Sequence, residues 1–102
     1  MIQNFQAPYS YDDSVVRNWN SSAIGVYYCG ELALDGSFIT YYVGRAVSDV
    51  GIRGRLLHHL AEQKWSDVTH FGYKICSTIN EAINHEATEI ARLTPKYNTV
   101  GK

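Results

Sequence analysis

Two runs of aromatic and β-branched residues, separated by Asp35-Gly36, constrain the fold of this chain more than any other feature. The first run covers residues 23–34 (AIGVYYCGELAL), and the second covers residues 37–43 (SFITYYV). Such side chains favour strands, and an Asp-Gly pair between two such runs is typical of a two-residue hairpin turn. The sequence therefore predicts a β-hairpin.

The two-residue turn also determines which residues of the hairpin lie opposite each other. Tyr27 would lie opposite Gly44, and Tyr42 would lie opposite Cys29. Tyr27 and Tyr42 would then lie diagonally on one face of the sheet, within reach of each other. Paired tyrosines on strands are usually half-buried packing residues, and that interpretation stays open. Gly44, opposite an aromatic residue, would leave room for the backbone of a ligand to approach.

The rest of the chain predicts a helix, a strand and a second helix. Apolar residues recur at helical spacing over residues 52–63, and residues 68–76 (VTHFGYKIC) are typical of a strand. Ser77 or Thr78 is suited to cap the second helix, which would run to about Leu93. We therefore expect an α+β fold, with a small three-stranded, mixed or antiparallel sheet flanked by helices in the order β-β-α-β-α.

Length and composition limit the number of domains and the kind of protein. The chain has 102 residues, enough for one core, and 45% of them are hydrophobic, too many for a disordered chain. Residues 23–102 would form the domain, and residues 1–22 an N-terminal extension of unknown role, in which residues 12–19 are suited to a short helix. The formal net charge of −1 excludes a globally basic protein but leaves a local basic site open.

Neither targeting signals nor metal-binding motifs stand out in the sequence. The N-terminal residues are not typical of a secretion signal, and no apolar stretch is long enough for a membrane span. Cys29 and Cys76 lack the CxxC spacing of a zinc site. A zinc hydrolase is disfavoured because no HExxH motif is formed by His58, His59, His70 and His85. We therefore expect an intracellular, cytoplasmic protein with no membrane contact.

The second helix carries a carboxylate among its apolar residues. At 100° per residue, Glu86 falls inside the apolar stripe, whereas Glu89 falls outside its middle. The stripe is formed by Ile79, Ile83, Ile90 and Leu93. A carboxylate on a buried stripe loses hydration unless a cation or hydrogen-bond donors meet it. Glu86 is therefore the acidic residue most suited to a function. The alternative is an ordinary glutamate at the rim of the core, paired with an arginine or capped by amides.

The first helix places a guanidinium and an imidazole together. Arg55 and His59 are four residues apart, so they would lie on one flank of the helix, where the apolar face ends. That flank would present both groups over a cleft. The alternative is ordinary, because flanking arginines usually extend along the surface and a single histidine is often a polar edge residue. If the helix begins later than residue 52, Arg53 could take the place of Arg55.

Taken together, these residues resemble the motifs of the GIY-YIG nuclease superfamily. Four motifs occur in the family's order and cover about residues 23–98. Two are the name-giving tripeptides, one joins an arginine to a histidine, and one joins a glutamate to a later asparagine. In this sequence they are Gly25-Val26-Tyr27, Tyr42-Val43-Gly44, Arg55 with His59, and Glu86 with Ile90, Pro95 and Asn98. The family fold, a small sheet flanked by helices, agrees with the fold expected above.

The resemblance implies a metal-dependent endonuclease that hydrolyses DNA phosphodiester bonds with one divalent ion. Glu86 would hold Mg²⁺ or Mn²⁺, and Arg55 would stabilise charge on the phosphate. Tyr27, with Tyr42 beside it, would position or deprotonate the attacking water. His59 could share that role, since its ordinary pKa, about 6.5, is nearer neutrality than that of tyrosine. The resemblance leaves open which group takes the proton.

The substrate-binding residues implied by the resemblance and the charge pattern are Gly44, Arg45, Arg53 and Asn98. The partner would be DNA, duplex or single-stranded, with RNA left open. Because the chain has little excess base, tight binding could require a partner protein or a second copy of the chain. A local basic track could be formed by Arg45, Arg53, Lys64, Lys74 and Arg92. The alternative function is a catalytically weak or inactive module of the same fold that binds nucleic acid or protein.

Overall fold

The protein consists of an antiparallel sheet with helices on both faces. The structure is a computed structural model that describes residues 1–19, 22–62 and 65–99. The sheet has four strands in the order β1-β4-β2-β3, and every neighbouring pair is antiparallel. The predicted α+β class is therefore confirmed. The elements are β1 (Gln6–Ser10), α1 (Asp13–Asn18), β2 (Gly25–Leu32), β3 (Phe38–Ala46), α2 (Gly51–Glu62), β4 (His70–Ile75), α3 (Ile79–Leu93) and α4 (Lys96–Thr99).

The predicted three-stranded sheet is wrong, because the N-terminal segment adds a fourth strand. β1 pairs with β4 at one edge of the sheet, through Tyr9 opposite Phe71 and Ser10 opposite His70. Most β1 residues are exposed, so the segment lacks the apolar alternation by which a strand is recognised in a sequence. The short helix expected over residues 12–19 is present as α1, and its Val16 is fully buried in the core.

The hairpin has the predicted register at the end that carries Tyr27 and Tyr42. Tyr27 lies opposite Gly44, and Cys29 lies opposite Tyr42. The turn is nevertheless longer than two residues. The Ser37 carbonyl accepts a hydrogen bond from the Ala33 N–H at 2.8 Å, so the loop contains residues 34–36.

Two deviations in the hairpin cancel. The third loop residue, Gly36, adopts a positive φ of 87°, which suits glycine. Further along, the register shifts between Cys29 and Gly30, where a β-bulge gives β3 one additional residue, Tyr41. One extra residue in the loop and one in the bulge shift the pairing in opposite directions. The register beyond the bulge therefore equals that of a two-residue turn.

The two faces of the sheet carry separate hydrophobic clusters, one under α2 and the other under α3. Successive residues of β2 alternate between them, so the strand is buried on both faces. The cluster under α2 includes Val16, Tyr27, Cys29, Ile52, Leu56 and Phe71. The cluster under α3 consists of Val26, Tyr28, Val43, Cys76 and Ala82. Among the described residues, no helix is long and apolar enough to cross a bilayer.

The N-terminus of α3 follows the sequence expectation, whereas its buried face does not. Thr78 caps the helix and accepts a hydrogen bond from the Glu81 N–H at 3.1 Å, and the Glu81 carboxylate accepts one from Thr78 N–H at 3.3 Å. Ile79 and Ile83, expected inside, are 46% and 37% exposed. The helix instead buries Ala82 and Glu89. The small Ala82 lies in the cluster under α3, and hydrogen-bond partners compensate the buried carboxylate.

Candidate active site

A cleft of about 380 Å³ lies beside edge strand β3, where α2 and α3 approach from opposite faces of the sheet. Strand β3 contributes Tyr42, α2 contributes Arg55, and α3 contributes Glu86. These predicted site residues, distant in sequence, therefore line one cavity. The complete lining is Tyr42, Arg45, Val47, Ser48, Arg55 and Glu86.

Glu86 lies at the wall of the cleft with one carboxylate oxygen paired. Its side chain is 15% exposed, and its Oε1 accepts a hydrogen bond from Arg45 Nη1 at 2.7 Å. No described residue donates a hydrogen bond to Oε2. The arginine pair expected as the alternative for Glu86 is thus present.

Arg55 has a buried donor without an acceptor. Its Nε is buried and has no hydrogen-bond partner within the described ranges. Hydrogen bonding with Tyr27 raises the pKa of the Arg55 guanidinium, which reinforces its permanent positive charge. A buried N–H without an acceptor costs about 1–3 kcal/mol. The Arg55 guanidinium, which lines the cleft, is suited to an incoming anion.

Tyr27 and His59 lie behind the cleft. Tyr27 is fully buried, and its hydroxyl is 2.9 Å from Nε2 of the buried His59. Burial, reinforced by nearby Tyr42, raises the pKa of Tyr27 well above its ordinary value, although Arg55 opposes the shift. Tyr27 therefore holds its proton at neutral pH. The predicted general base of the site is an internal phenol that does not line the cleft.

Tyr42 is the phenol that lines the cleft. Burial raises its pKa, and the charge of Glu86 raises it further, whereas Arg55 acts in the opposite direction. Its ring lies 6.2 Å from the Tyr27 ring and 5.7 Å from the His59 ring, measured between centroids. Tyr42 therefore lies between the cleft and the Tyr27–His59 pair.

Trp65 supports this arrangement and was not singled out by the sequence. Its ring centroid lies 4.7 Å from that of Tyr42 and 4.9 Å from that of His59. On its other side it stacks on Tyr97, at 5.7 Å. A single tryptophan outside the predicted helices and strands has no periodic partner, so no sequence pattern could indicate the contact.

Arg45 is the residue of the predicted substrate-binding set that lines the cleft. The space beside Gly44 is filled by the Tyr27 ring, which a Cβ at position 44 would overlap. Gly44 therefore accommodates an internal side chain, and the predicted approach of a ligand backbone at this position has no support in the structure. Arg53 Nε and Nη2 donate to the Arg17 carbonyl at 3.2 and 2.7 Å, so Arg53 joins α2 to α1.

Asn98 braces β3 from the C-terminal side. Its Oδ1 accepts a hydrogen bond from the Val43 N–H at 2.7 Å, and its Nδ2 donates to the Val43 carbonyl at 2.9 Å. The Asn98 side chain thus pairs with the backbone of edge strand β3 as a neighbouring strand would, next to the cleft-lining Tyr42. Both amide atoms bind the protein, which fits positioning of β3 better than direct substrate binding.

The predicted basic track is not continuous among the described residues. Arg45 lines the cleft, but Arg53 bonds to α1, and Lys74 and Arg92 bond to Glu89. Lys64 lies outside the described residues. The cleft itself therefore carries two arginines against one carboxylate.

Comparisons of the chain with protein-family models, with curated proteins and with solved structures gave no significant match. Within the described part of the chain, no group of three or more His, Cys, Asp and Glu side chains comes together as a metal-ligand set. A cation in the cleft would be held by the single carboxylate of Glu86 and by water. The geometry of the cleft therefore carries the functional argument.

Proposed function

We propose that this protein is a metal-dependent endonuclease of the GIY-YIG superfamily that hydrolyses DNA phosphodiester bonds. The observation that carries the proposal is the convergence of Tyr42, Arg55 and Glu86 on one cleft. A phenol, a guanidinium and a carboxylate supply proton handling, charge stabilisation and a metal ligand, the three requirements of this hydrolysis.

The cationic side chains of the cleft favour a phosphate substrate. Arg55 lines the cleft with a permanently charged guanidinium, to which a phosphate oxygen could accept hydrogen bonds. Arg45, at the same cleft, is suited to a second contact with the nucleic-acid backbone. Because the formal net charge is −1, we propose that tight binding requires a partner protein or a second copy of the chain.

The residues fit one hard divalent ion, Mg²⁺ or Mn²⁺, at Glu86. A cleft of about 380 Å³ has room for several waters, and Mg²⁺ usually keeps most of its water ligands. When bound, the ion would stabilise negative charge on the phosphate and on the leaving oxygen. Arg45 already donates a hydrogen bond to Glu86 Oε1. When the ion binds, Arg45 must therefore turn toward the substrate or share the Glu86 carboxylate with the ion.

The proton of the attacking water would leave the cleft through the phenols. Tyr42 lines the cleft, and Tyr27, hydrogen-bonded to His59, lies behind Tyr42. Because the pKa values of both phenols are raised, neither loses its proton at neutral pH to act as a free base. We propose that Tyr42 takes the proton of the water while it passes its own proton to Tyr27, and that Tyr27 in turn passes its proton to His59 Nε2. This assigns the base role to His59 and makes both phenols relays.

A cleavage assay tests the proposed activity. Plasmid and single-stranded DNA are incubated with Mg²⁺ or Mn²⁺ and with wild-type protein, Glu86→Gln or Asp13→Asn. Asp13 is a matched control because it also pairs with an arginine, Arg17, but at the exposed surface. We expect at least a 100-fold loss of cutting in Glu86→Gln alone. No cutting by any protein, or equal cutting by all three, would refute the endonuclease.

The pH profile tests the proton path. His59→Ala should remove the acidic limb of the rate profile, whereas His58→Ala, an exposed neighbour paired with Glu62, should keep it. Near-ultraviolet circular dichroism checks that the packing around Trp65 persists in both variants. A profile in folded His59→Ala identical to that of wild type would return the base role to a tyrosine.

The second candidate function is a binding module of the same fold, catalytically weak or inactive. The pairing of Glu86 with Arg45 favours it, because the carboxylate is already neutralised by the protein. This candidate predicts DNA binding without cutting, and no loss of binding in Glu86→Gln. We also propose a cytoplasmic location, which suits the buried free thiols of Cys29 and Cys76.

A further inference from the structure

A second cavity, of about 230 Å³, lies beside α3 and shares no lining residue with the cleft. Glu86 faces the cleft, whereas Glu89, three residues further along α3, lines the second cavity. The other walls come from the N-terminal segment, from the hairpin and from β4. They include Phe5, Tyr28, Phe38, Lys74 and Arg92. The proposed nuclease activity uses none of these residues.

One side of this cavity is built from aromatic rings. The Phe5 ring stands edge-on to the Tyr28 ring, with centroids 4.8 Å apart and an interplanar angle of 76°. It also stands edge-on to the Phe38 ring, at 5.8 Å and 70°. Rings arranged at steep angles leave ring faces on which a planar ligand can stack.

The rest of the lining contains a charged cluster with more positive than negative groups. Glu89 is 3% exposed and accepts hydrogen bonds from Tyr28 Oη at 2.7 Å, from Arg92 Nε at 2.6 Å and from Lys74 Nζ at 3.4 Å. Two cations thus meet one carboxylate. His85, 3.1 Å from Lys74 Nζ, does not add charge at neutral pH because burial, together with Lys74, lowers its pKa.

Both cations keep donors for a ligand. Lys74 has three N–H groups and uses two, on His85 and Glu89, within the described chain. Arg92 binds Glu89 through Nε and Nη2, which leaves its Nη1 donors. The buried carboxylate therefore holds two cations at the cavity wall with one positive charge in excess. An anion would balance that charge.

We propose that this cavity binds a nucleoside monophosphate, with the base against Phe5 and Phe38 and the phosphate on Lys74 and Arg92. A nucleotide combines the flat ring and the anionic group that the two walls require. A volume of about 230 Å³ lies below the range for drug-sized ligands, about 300–1,000 Å³, so the cavity would take the base and the phosphate while the sugar stays at its open mouth. The nucleotide is either free or the end of a nucleic-acid strand. Both sources present the same base and phosphate.

Calorimetric titration of the full chain tests the proposal with dAMP, deoxyadenosine, inorganic phosphate and a 5′-phosphorylated trinucleotide. We expect dAMP or the trinucleotide to bind at least tenfold more tightly than deoxyadenosine or phosphate, and the tighter of the two identifies the source. Equal affinity for dAMP and phosphate, or no binding of either nucleotide ligand with a Kd below about 1 mM, would overturn it.

Variants locate the site. Lys74→Met should weaken nucleotide binding at least tenfold, whereas Lys96→Met, which removes an ion pair with Asp67 elsewhere, should not. Amide chemical shifts of wild-type protein provide a readout that needs no variant. They should move at Phe5, Phe38 and Thr40 on adding the nucleotide. Shifts confined to the cleft around Tyr42 would overturn the second site without affecting the proposed nuclease.

Discussion

The buried carboxylate of Glu89 makes a quantitative prediction about stability. It accepts hydrogen bonds from the Tyr28 hydroxyl, at 2.7 Å, and from Arg92 Nη2, at 2.9 Å. Hydrogen bonding from Arg92 is the largest cause that lowers its pKa, from 4.5 to about 2. We expect Glu89→Gln, which removes the charge but keeps the shape, to destabilise the protein in a pH-dependent manner.

The sign and size follow from the difference between the folded and unfolded states. Because the folded pKa lies below the unfolded value, the contribution of Glu89 is fully present above about pH 4.5 and is lost as the pH falls to about 2. A full shift of this size corresponds to an upper limit of about 3.4 kcal/mol. Arg92 is 61% exposed, so solvent screening reduces the expected contribution to about 2 kcal/mol.

Urea unfolding of wild type and Glu89→Gln at pH 7 and at pH 2 measures this contribution. The variant should be less stable by about 2 kcal/mol at pH 7, which lowers Tm by about 8–16 °C in a domain of this size. At pH 2 the difference should fall below about 0.5 kcal/mol. Comparing wild type with the variant cancels the titration of the other carboxylates. An equal difference at both pH values would refute the argument.

Three further substitutions test the surroundings of the cleft. Gly44→Ala should cost about 1–3 kcal/mol in urea unfolding because its Cβ would overlap the buried Tyr27 ring, and unchanged stability would contradict that packing. Asn98→Ala removes both hydrogen bonds to the Val43 backbone and should cost about 1–2 kcal/mol, with faster amide exchange at Val43; unchanged exchange would show that Asn98 does not hold the strand. Arg45→Met removes the ion pair with Glu86 and should tighten Mn²⁺ binding about tenfold, measured by electron paramagnetic resonance without DNA. Equal Mn²⁺ affinity in wild type and variant would mean that the Arg45–Glu86 pair does not compete with the metal.

In the hairpin, the predicted register is present although the loop and the bulge that produce it were not predicted. The Asp-Gly turn predicts the pairing of Tyr27 with Gly44, and that pairing is present. The actual loop has one more residue, and the bulge at Tyr41 restores the register. A bulge has no sequence signature here, because its position depends on how β3 bends around its neighbours. The face shared by Tyr27 and Tyr42 was therefore predictable, but the path of the chain between them was not.

The candidate site was also predicted only in part. The spacing of Arg55 and His59 placed both on one flank of α2, and the structure brings both close to the phenols. Periodicity could not show that Tyr27 is buried behind Tyr42, since both positions are compatible with the same strand face. That ordering depends on α2, whose His59 contacts the inner phenol, and on Trp65, whose ring packs against the outer one.

The sequence alone determined the features that depend on neighbouring residues: the α+β class, the hairpin and the capping of α3 by Ser77 or Thr78, of which the structure uses Thr78. Turn chemistry and capping involve groups a few residues apart, so the local pattern is sufficient. Only the tertiary structure decided which face of α3 is buried and that β1 joins the sheet. Glu89 is buried because Tyr28 and Lys74, on two separate strands, offer it hydrogen bonds. Such partners meet only after folding, so helical periodicity placed Glu89 outside the middle of the apolar stripe, although Glu89 is the buried carboxylate of α3.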